Sequence, residues 1–365
     1  MTRLQSLWMT VDLVTDTAES STSGVSLEDL ESWGGKLLVD SIHDHEPNLH
    51  GTPFREGDVL FGKLRPYLSK SWVSDSQGVA AGDIHVYRAK PHVDPRFVGY
   101  VIRTPEFVRY ASACSNGVKM PRVEWTSLSQ YRFLVPDLET QRRIADYLDK
   151  EIREMDALID EFERLVRELE IRKLLLPDSK TNHQGASVPM VPAKLLTRIT
   201  TGEGDTQDAI EDGEFPFYVR SDTVRTSDKW TFEGPSVLTS GDGAGVGKIF
   251  HFVKGKFRAH QRVYVLRNFT RVDPKYFYWC FRTNFPRQVE HGGAKATVES
   301  VRMNMVADTP IPLPPLDKQR EIAEELDREF ERMDALIEES TRLIENLKAR
   351  KTALITEVVT GRKEV

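Results

Sequence analysis

Apolar residues along this chain fall into two kinds of pattern, one helical and one extended. Leu148, Ile152, Met155, Ile159, Phe162, Val166 and Leu169 recur at alternating steps of four and three, a spacing that keeps one narrow stripe on a coiled-coil helix. The same steps return at Leu326, Phe330, Met333, Ile337, Ser340, Ile344 and Leu347. Leu158, Leu165, Leu336 and Leu343 widen each stripe beyond a two-helix seam. Each helix is therefore expected to meet something besides its twin, with a helix of a partner protein as the natural candidate. Glu139 and Asp317 put acid in the first turns, and Arg172-Lys173 and Arg350-Lys351 put bases near the ends. Pro177 and Gly361 predict the stops. A helix over 139–175 would be about 55 Å long.

Between the helices the pattern shortens to β-type runs punctuated by Gly, Pro and Asp, and these come twice. VLFGKLRPYLSKSW, DIHVYRAK, VDPRFVGYVIRTPEF and SNGVKMPRVEWTSLSQYRFLVP in the first half answer, in order, to SVLTSGDGAGVGKIFHF, HQRVYVLR, VDPKYFYWCFRTNF and HGGAKATVESVRMNMVADTPIPLP in the second. The helices repeat more tightly. Residues 136–176 and 314–354 match without a gap at a constant offset of 178, with 21 identities in 41 positions. A repeat of this length marks a duplicated architecture. The expected organisation is a first domain over 1–135, a helix over 136–176, a second domain over 177–313 with a polar linker at 177–192, a second helix over 314–360, and a tail at 361–365.

Composition and charge narrow the class. A chain of 365 residues, 39% hydrophobic and 29% charged, reads as soluble and globular. The start lacks the apolar run of a signal peptide, and no stretch approaches bilayer length, so a cytoplasmic protein with no membrane partner is expected. Cys114 and Cys280 are the only cysteines and suit a reducing compartment, with core packing as their expected role. The net charge of -6 conceals an uneven distribution: 12 acids and 8 bases in each of 136–176 and 314–360, but 5 acids against 11 bases over 59–135 and 7 against 15 over 215–302. One basic patch per half, separated by acidic helices, is the distribution of a two-site phosphate binder.

The segments Pro136-Asp137-Leu138-Glu139-Thr140-Gln141-Arg142-Arg143-Ile144-Ala145 and Pro314-Pro315-Leu316-Asp317-Lys318-Gln319-Arg320-Glu321-Ile322-Ala323 each close a domain and open a long helix. In this respect the chain resembles, over essentially its whole length, the specificity subunit of Type I restriction-modification systems. The resemblance implies a mixed α/β (α+β) fold. Two target recognition domains, related by a pseudo-twofold, would be joined by two long antiparallel coiled-coil helices. It further implies that each domain reads one half of a bipartite site in double-stranded DNA. The helices would set the spacer and dock two methylation subunits, with restriction (translocase) subunits as further partners. The chain itself would be non-catalytic and without a cofactor.

For that role the contacting groups are expected in loops: Lys63, Arg65, Lys70, Asn116, Lys119 and Arg122 in the first domain, and Lys248, Lys254, Lys256, Arg258, Gln261, Arg262, His291 and Lys295 in the second. Lys and Arg would hold phosphates, while Arg on guanine and Asn or Gln on adenine would select sequence. Other motifs are weaker. Gly241 to Ile249 resembles a phosphate loop, but Asp242 stands where its first glycine should be and Ile249 replaces the magnesium-binding hydroxyl. His43, His45 and His50 lack convergent metal-ligand spacing, and no metal site is expected. No adenine-methyltransferase Asn-Pro-Pro-Tyr or Asp-Pro-Pro-Tyr motif occurs, nor a glycine-rich turn suited to S-adenosylmethionine. The alternatives are a methyltransferase or nuclease with an unrecognised active site, and a coiled-coil adaptor whose flanking domains bind protein.

Overall fold

The computed structural model describes residues 2–20, 24–38, 49–182, 188–291 and 301–365. They form two compact units, Met1–Glu163 with Thr341–Val365, and Arg164–Ser340. The unit boundaries fall inside the long helices rather than at their ends.

In the first unit an antiparallel sheet is built from β1 (Val11–Leu13), β2 (Val59–Gly62), β3 (Ser71–Val73) and β4 (Ile84–Ala89), in the spatial order β1-β4-β2-β3. The second unit repeats it with β5 (Arg198–Thr201), β6 (Ser236–Ser240), β7 (Phe250–Val253) and β8 (Val263–Arg267), in the order β5-β8-β6-β7. Each unit adds a second four-stranded sheet, and here the copies diverge. In the first, Leu49–Phe54 runs antiparallel to Gly78–Ala81; in the second, Phe215–Tyr218 runs parallel to Lys256–Ala259.

Short helices cover the conserved sheet. In the first unit these are α1 (Pro95–Val101) and α2 (Pro105–Ala113); in the second a single α4 (Pro274–His291) takes their place. The difference traces to one residue. Pro105 forces the preceding Thr104 into extended backbone, and the Thr104 side chain caps α2 by accepting from the Phe107 N–H. In the second unit Asn284 follows Thr283, the Thr283 hydroxyl donates back to the Trp279 carbonyl at 3.0 Å, and the helix runs on.

The long helices are α3 (Leu138–Thr181) and α5 (Leu316–Val359). Each is anchored at its start by the glutamine of the repeated motif. Gln141 is fully buried, accepts from the Asp94 N–H at 2.9 Å and donates to the Pro136 carbonyl at 2.8 Å. Gln319 does the same with Asp273 at 2.8 Å and Pro314 at 2.8 Å. Two turns further on, Asp149 accepts from Tyr100 Oη at 2.5 Å and Arg96 at 2.7 Å, and its counterpart Asp327 accepts from Trp279 Nε1 at 3.0 Å and pairs with Lys275 at 3.2 Å. These paired polar ties hold each helix in one register on its own domain.

The expected stripe is the buried one. Leu148, Ile152, Met155, Ile159 and Leu169 of α3, and Leu326, Phe330 and Met333 of α5, are buried, while Phe162, Val166, Ile337, Ile344 and Leu347 are partly so. It does two jobs, however. In the first unit Leu148, Ile152 and Met155 share one core cluster both with Phe97 and Val101 of α1 and with Leu354, Ile355 and Val358 of α5. In the second, Leu165, Leu169 and Leu176 pack with Phe330 and Met333 of α5 and with the aromatics of α4. Within each unit the two helices run antiparallel: Asp156 meets Lys351 at 2.6 Å and Glu163 meets Lys348 at 3.2 Å in the first, and Arg172 meets Glu329 at 3.0 Å and Lys180 meets Glu325 at 2.6 Å in the second. Of the widening positions, Leu165 and Leu343 are half-buried, whereas Leu158 and Leu336 stay exposed at 45% and 49%.

Pro177 does not end α3, contrary to expectation; it sits inside the last turns, and the helix continues to Thr181. A proline there removes one backbone hydrogen bond and strains the turn. The loss is offset within the second unit, where Leu176 packs on the core, Arg287 pairs with Asp178 at 2.9 Å, Lys180 pairs with Glu325 and Thr181 is buried. Gly361, at φ +72°, does follow the end of α5.

Candidate nucleic-acid interface

In the first unit two loops lie side by side at one end of the conserved sheet. The chain leaving β2 passes through Lys63 and Arg65, makes a tight turn over Pro66–Leu68, and enters β3. Arg65 and Ser69 flank that turn in left-handed backbone at φ +51° and +48°, a conformation that costs non-glycine residues about 1–3 kcal/mol each and gathers at functional sites. The turn presents Tyr67, half exposed. The second loop is closed by Asn116 and Arg122, which exchange backbone hydrogen bonds at 2.8 and 2.9 Å. It is stitched to the first by Arg65 N–H to the Pro121 carbonyl at 2.7 Å and Val123 N–H to the Lys63 carbonyl at 3.0 Å.

Five of the six expected residues of this unit, Lys63, Arg65, Asn116, Lys119 and Arg122, thus share one small region. Lys70 does not stand free beside them: its Nζ donates to the Leu27 carbonyl at 2.5 Å and braces the neighbouring loop. Arg122 pairs with Asp83. The local field is positive. Burial first, and then Lys63 and Arg122, pull the nearby His85 imidazole down to about 3. Buried Asp58 is paired with Arg88 at 2.6 Å, and exposed Asp12 with Lys90 at 3.3 Å.

In the second unit the corresponding place is the glycine-bearing loop between β6 and β7. Val301 N–H donates to the Gly241 carbonyl at 2.9 Å, as Val123 does to Lys63, and Gly243 is left-handed at φ +75° where Arg65 stands in the first copy. Asp242 accepts from Arg220 at 3.1 Å and lies 3.6 Å from Arg262. Around it Arg220, Arg225, Ser221, Gly243 and Gly245 line a cavity of about 360 Å³. Lys248 is exposed on the same loop, and Gln261 donates to Asp205 at 3.4 Å. Lys254 and Lys256 depart from this loop: they follow Val253 at the opposite end of β7, over the rings of Phe252 and Trp230 at 5.7 and 4.6 Å.

Arg258 departs from its expected place. Its guanidinium donates to Asp208 at 2.5 Å and Ser227 at 3.2 Å, lies over Phe217 and is only 15% exposed, so it braces the second sheet. His291 ends α4. Lys295, like His43 and His45, lies outside the described residues. Cys280 is buried and Cys114 is partly buried against the core, as expected.

Tyr67, Val118, Met120, Arg220 and Arg225 belong to these surfaces and were not expected there from the sequence. The signal for Val118 and Met120 was present as two hydrophobic residues in an otherwise polar, glycine-bearing loop.

Residues 198–346 match the protein family described as "Type I restriction modification DNA specificity domain". Over 166 residues, 46% of this chain, the sequence is 28% identical to the Type I restriction enzyme EcoDI specificity subunit of Escherichia coli. That match spans 36% of the relative's own length, about a third of it. Two solved structures share the fold from end to end. One, described under "Structural basis underlying complex assembly and conformational transition of the type I R-M system", superposes with a TM-score of 0.76 at 19% identity, covering 99% of this chain and 98% of the other. The HsdS subunit from Thermoanaerobacter tengcongensis gives 0.60 at 18% identity, covering 99% and 97%. The likeness in these two is one of fold, and it extends to both halves of the chain.

Proposed function

With residues 198–346 matching the Type I restriction modification DNA specificity family, we propose that the whole chain is the DNA-reading subunit of a Type I restriction-modification complex. Each α/β domain reads one half of a bipartite site. The long helices set the spacer between the halves and dock methylation subunits in the cytoplasm, and the chemistry belongs to those partners. Among the described residues no helix is long and apolar enough to cross a membrane.

The observation that carries this reading is the duplicated loop that follows the second strand of each conserved sheet. Lys63 and Gly241, Arg65 and Gly243, and Val123 and Val301 occupy equivalent places in two copies of one sheet. Cations collect around both: Lys63, Arg65, Lys119 and Arg122 in one, Arg220, Arg225, Lys248 and Arg262 in the other. Their different loops favour two different half-sites and hence an asymmetric target, read by base contacts and held by phosphate contacts.

Selection of sequences from a random duplex pool by the full chain, followed by binding at graded salt, tests the reading. A bipartite selected sequence with a steep salt dependence is expected. Replacing Lys119 or Lys248 with Ala should lower the salt slope by about one unit for each phosphate that is no longer neutralised. Failure to select any sequence would overturn it in favour of a protein-binding adaptor. Stoichiometric binding of S-adenosylmethionine by the isolated chain would instead indicate a methyltransferase.

A further inference from the structure

The tip of the Asn116–Arg122 loop carries two apolar side chains that the domain does not use. Val118 is fully exposed and Met120 is 58% exposed, so neither contributes much to the core. Single exposed apolar residues are ordinary on protein surfaces. This pair differs because its backbone is held. The Asn116–Arg122 bridge closes the loop, Arg65 N–H grips the Pro121 carbonyl, and Gly117 at φ +99° makes a turn in which an added Cβ would meet the Met120 carbonyl at 3.2 Å.

The surroundings identify what the tip faces. Lys63, Arg65, Lys119 and Arg122 all lie on the two loops that are stitched together here, and Asp83 is paired with Arg122. A protein partner that covered an apolar tip would have to supply acids on all sides of it. A nucleic-acid duplex does so by construction, with phosphates flanking each groove. Within the major groove the apolar feature of a base edge is the C5-methyl of thymine.

We propose that Val118 and Met120 are specificity-determining residues that contact thymine methyl groups in the half-site read by the first domain, while the surrounding cations hold the flanking phosphates. The inference rests on the DNA-reading assignment above and adds the base and the residues that read it.

The test couples a DNA change to a protein change. In the duplex selected by the full chain, each thymine is replaced in turn by deoxyuridine, which removes only the methyl group. Affinity is then measured for the wild type, Val118→Ala and Met120→Ala. At one or more thymines of one half-site the replacement should weaken wild-type binding about fivefold to tenfold, and one of the two variants should abolish that penalty. Thymines of the other half-site should behave alike in all three proteins. Because both side chains are exposed, the variants should keep the wild-type melting temperature and salt slope.

Equal penalties in all three proteins, or a selected sequence with no thymine in either half-site, would overturn the inference and leave the DNA-reading assignment intact. A Met120-dependent rise in 2-aminopurine fluorescence without any uridine effect would also overturn it, since the tip would then be a wedge between bases. If the wild type selects no sequence, the assignment itself fails and this inference with it.

Discussion

Two glutamines, at positions 141 and 319, join each long helix to its domain. Each buried amide accepts from a backbone N–H of the domain and donates to one backbone carbonyl of the chain entering the helix, so a leucine of similar size would leave those groups unpaired. Gln141→Leu and Gln319→Leu should each lower stability by about 2–4 kcal/mol, measured by urea unfolding, whereas exchange of the neighbouring exposed Arg142 or Arg320 for Gln should change it little. His85 supplies a second residue-scale prediction. Its folded-state value of about 3 lies below the ordinary 6.5, so below pH 6.5 the unfolded chain takes up a proton that the folded one refuses. Stability from this group is complete above about pH 6.5 and falls as the pH drops toward 3. His85→Gln should therefore show a smaller fall in melting temperature between pH 7 and pH 4.5 than the wild type. If the two fall in parallel, the imidazole is not buried in its neutral form.

Among the elements, the long helices are where local pattern and tertiary demand meet. A stripe stepping by four and three encodes which residues of α3 and α5 turn inward, because side chains at those intervals share one helix face whatever they pack on. It does not encode the partner, and in each unit the stripe is divided between the domain's own core and the other helix. Met155→Glu places an unpaired carboxylate in that cluster and should cost about 3–5 kcal/mol. Leu158→Glu, one turn away on the exposed face, should leave unfolding within about 0.5 kcal/mol of wild type, and by the proposed function it should weaken methylation-subunit binding, read by co-purification. Pro177 illustrates the opposite case. The rule that proline stops helices is local, and here the contacts of Leu176, Asp178 and Lys180 outweigh it.

For the molecule as a whole, the proposed function makes helix length a measurable quantity. A seven-residue insertion after Glu168, matched by one after Glu338 to keep the antiparallel stripe in phase, lengthens each helix by about 10 Å, or about three base pairs at 3.4 Å each. Methylation mapping should show both half-sites unchanged and the spacer longer by that amount; an unaltered spacer would mean that the helices do not set it. The duplication, the matching succession of segments in the two halves, both long helices and the buried stripe were legible in the amino-acid order, because each is written in repeated spacing between residues near one another along the chain. The neighbours of those elements were not. Lys70 and Arg258 have the composition of loop cations and turn inward to Leu27 and Asp208, while Tyr67, Val118 and Met120 have the composition of core and stand in solvent. Such placements depend on carbonyls and carboxylates tens of residues distant, brought close only once the sheets have paired, and residue type along a single strand of sequence holds no record of that distance.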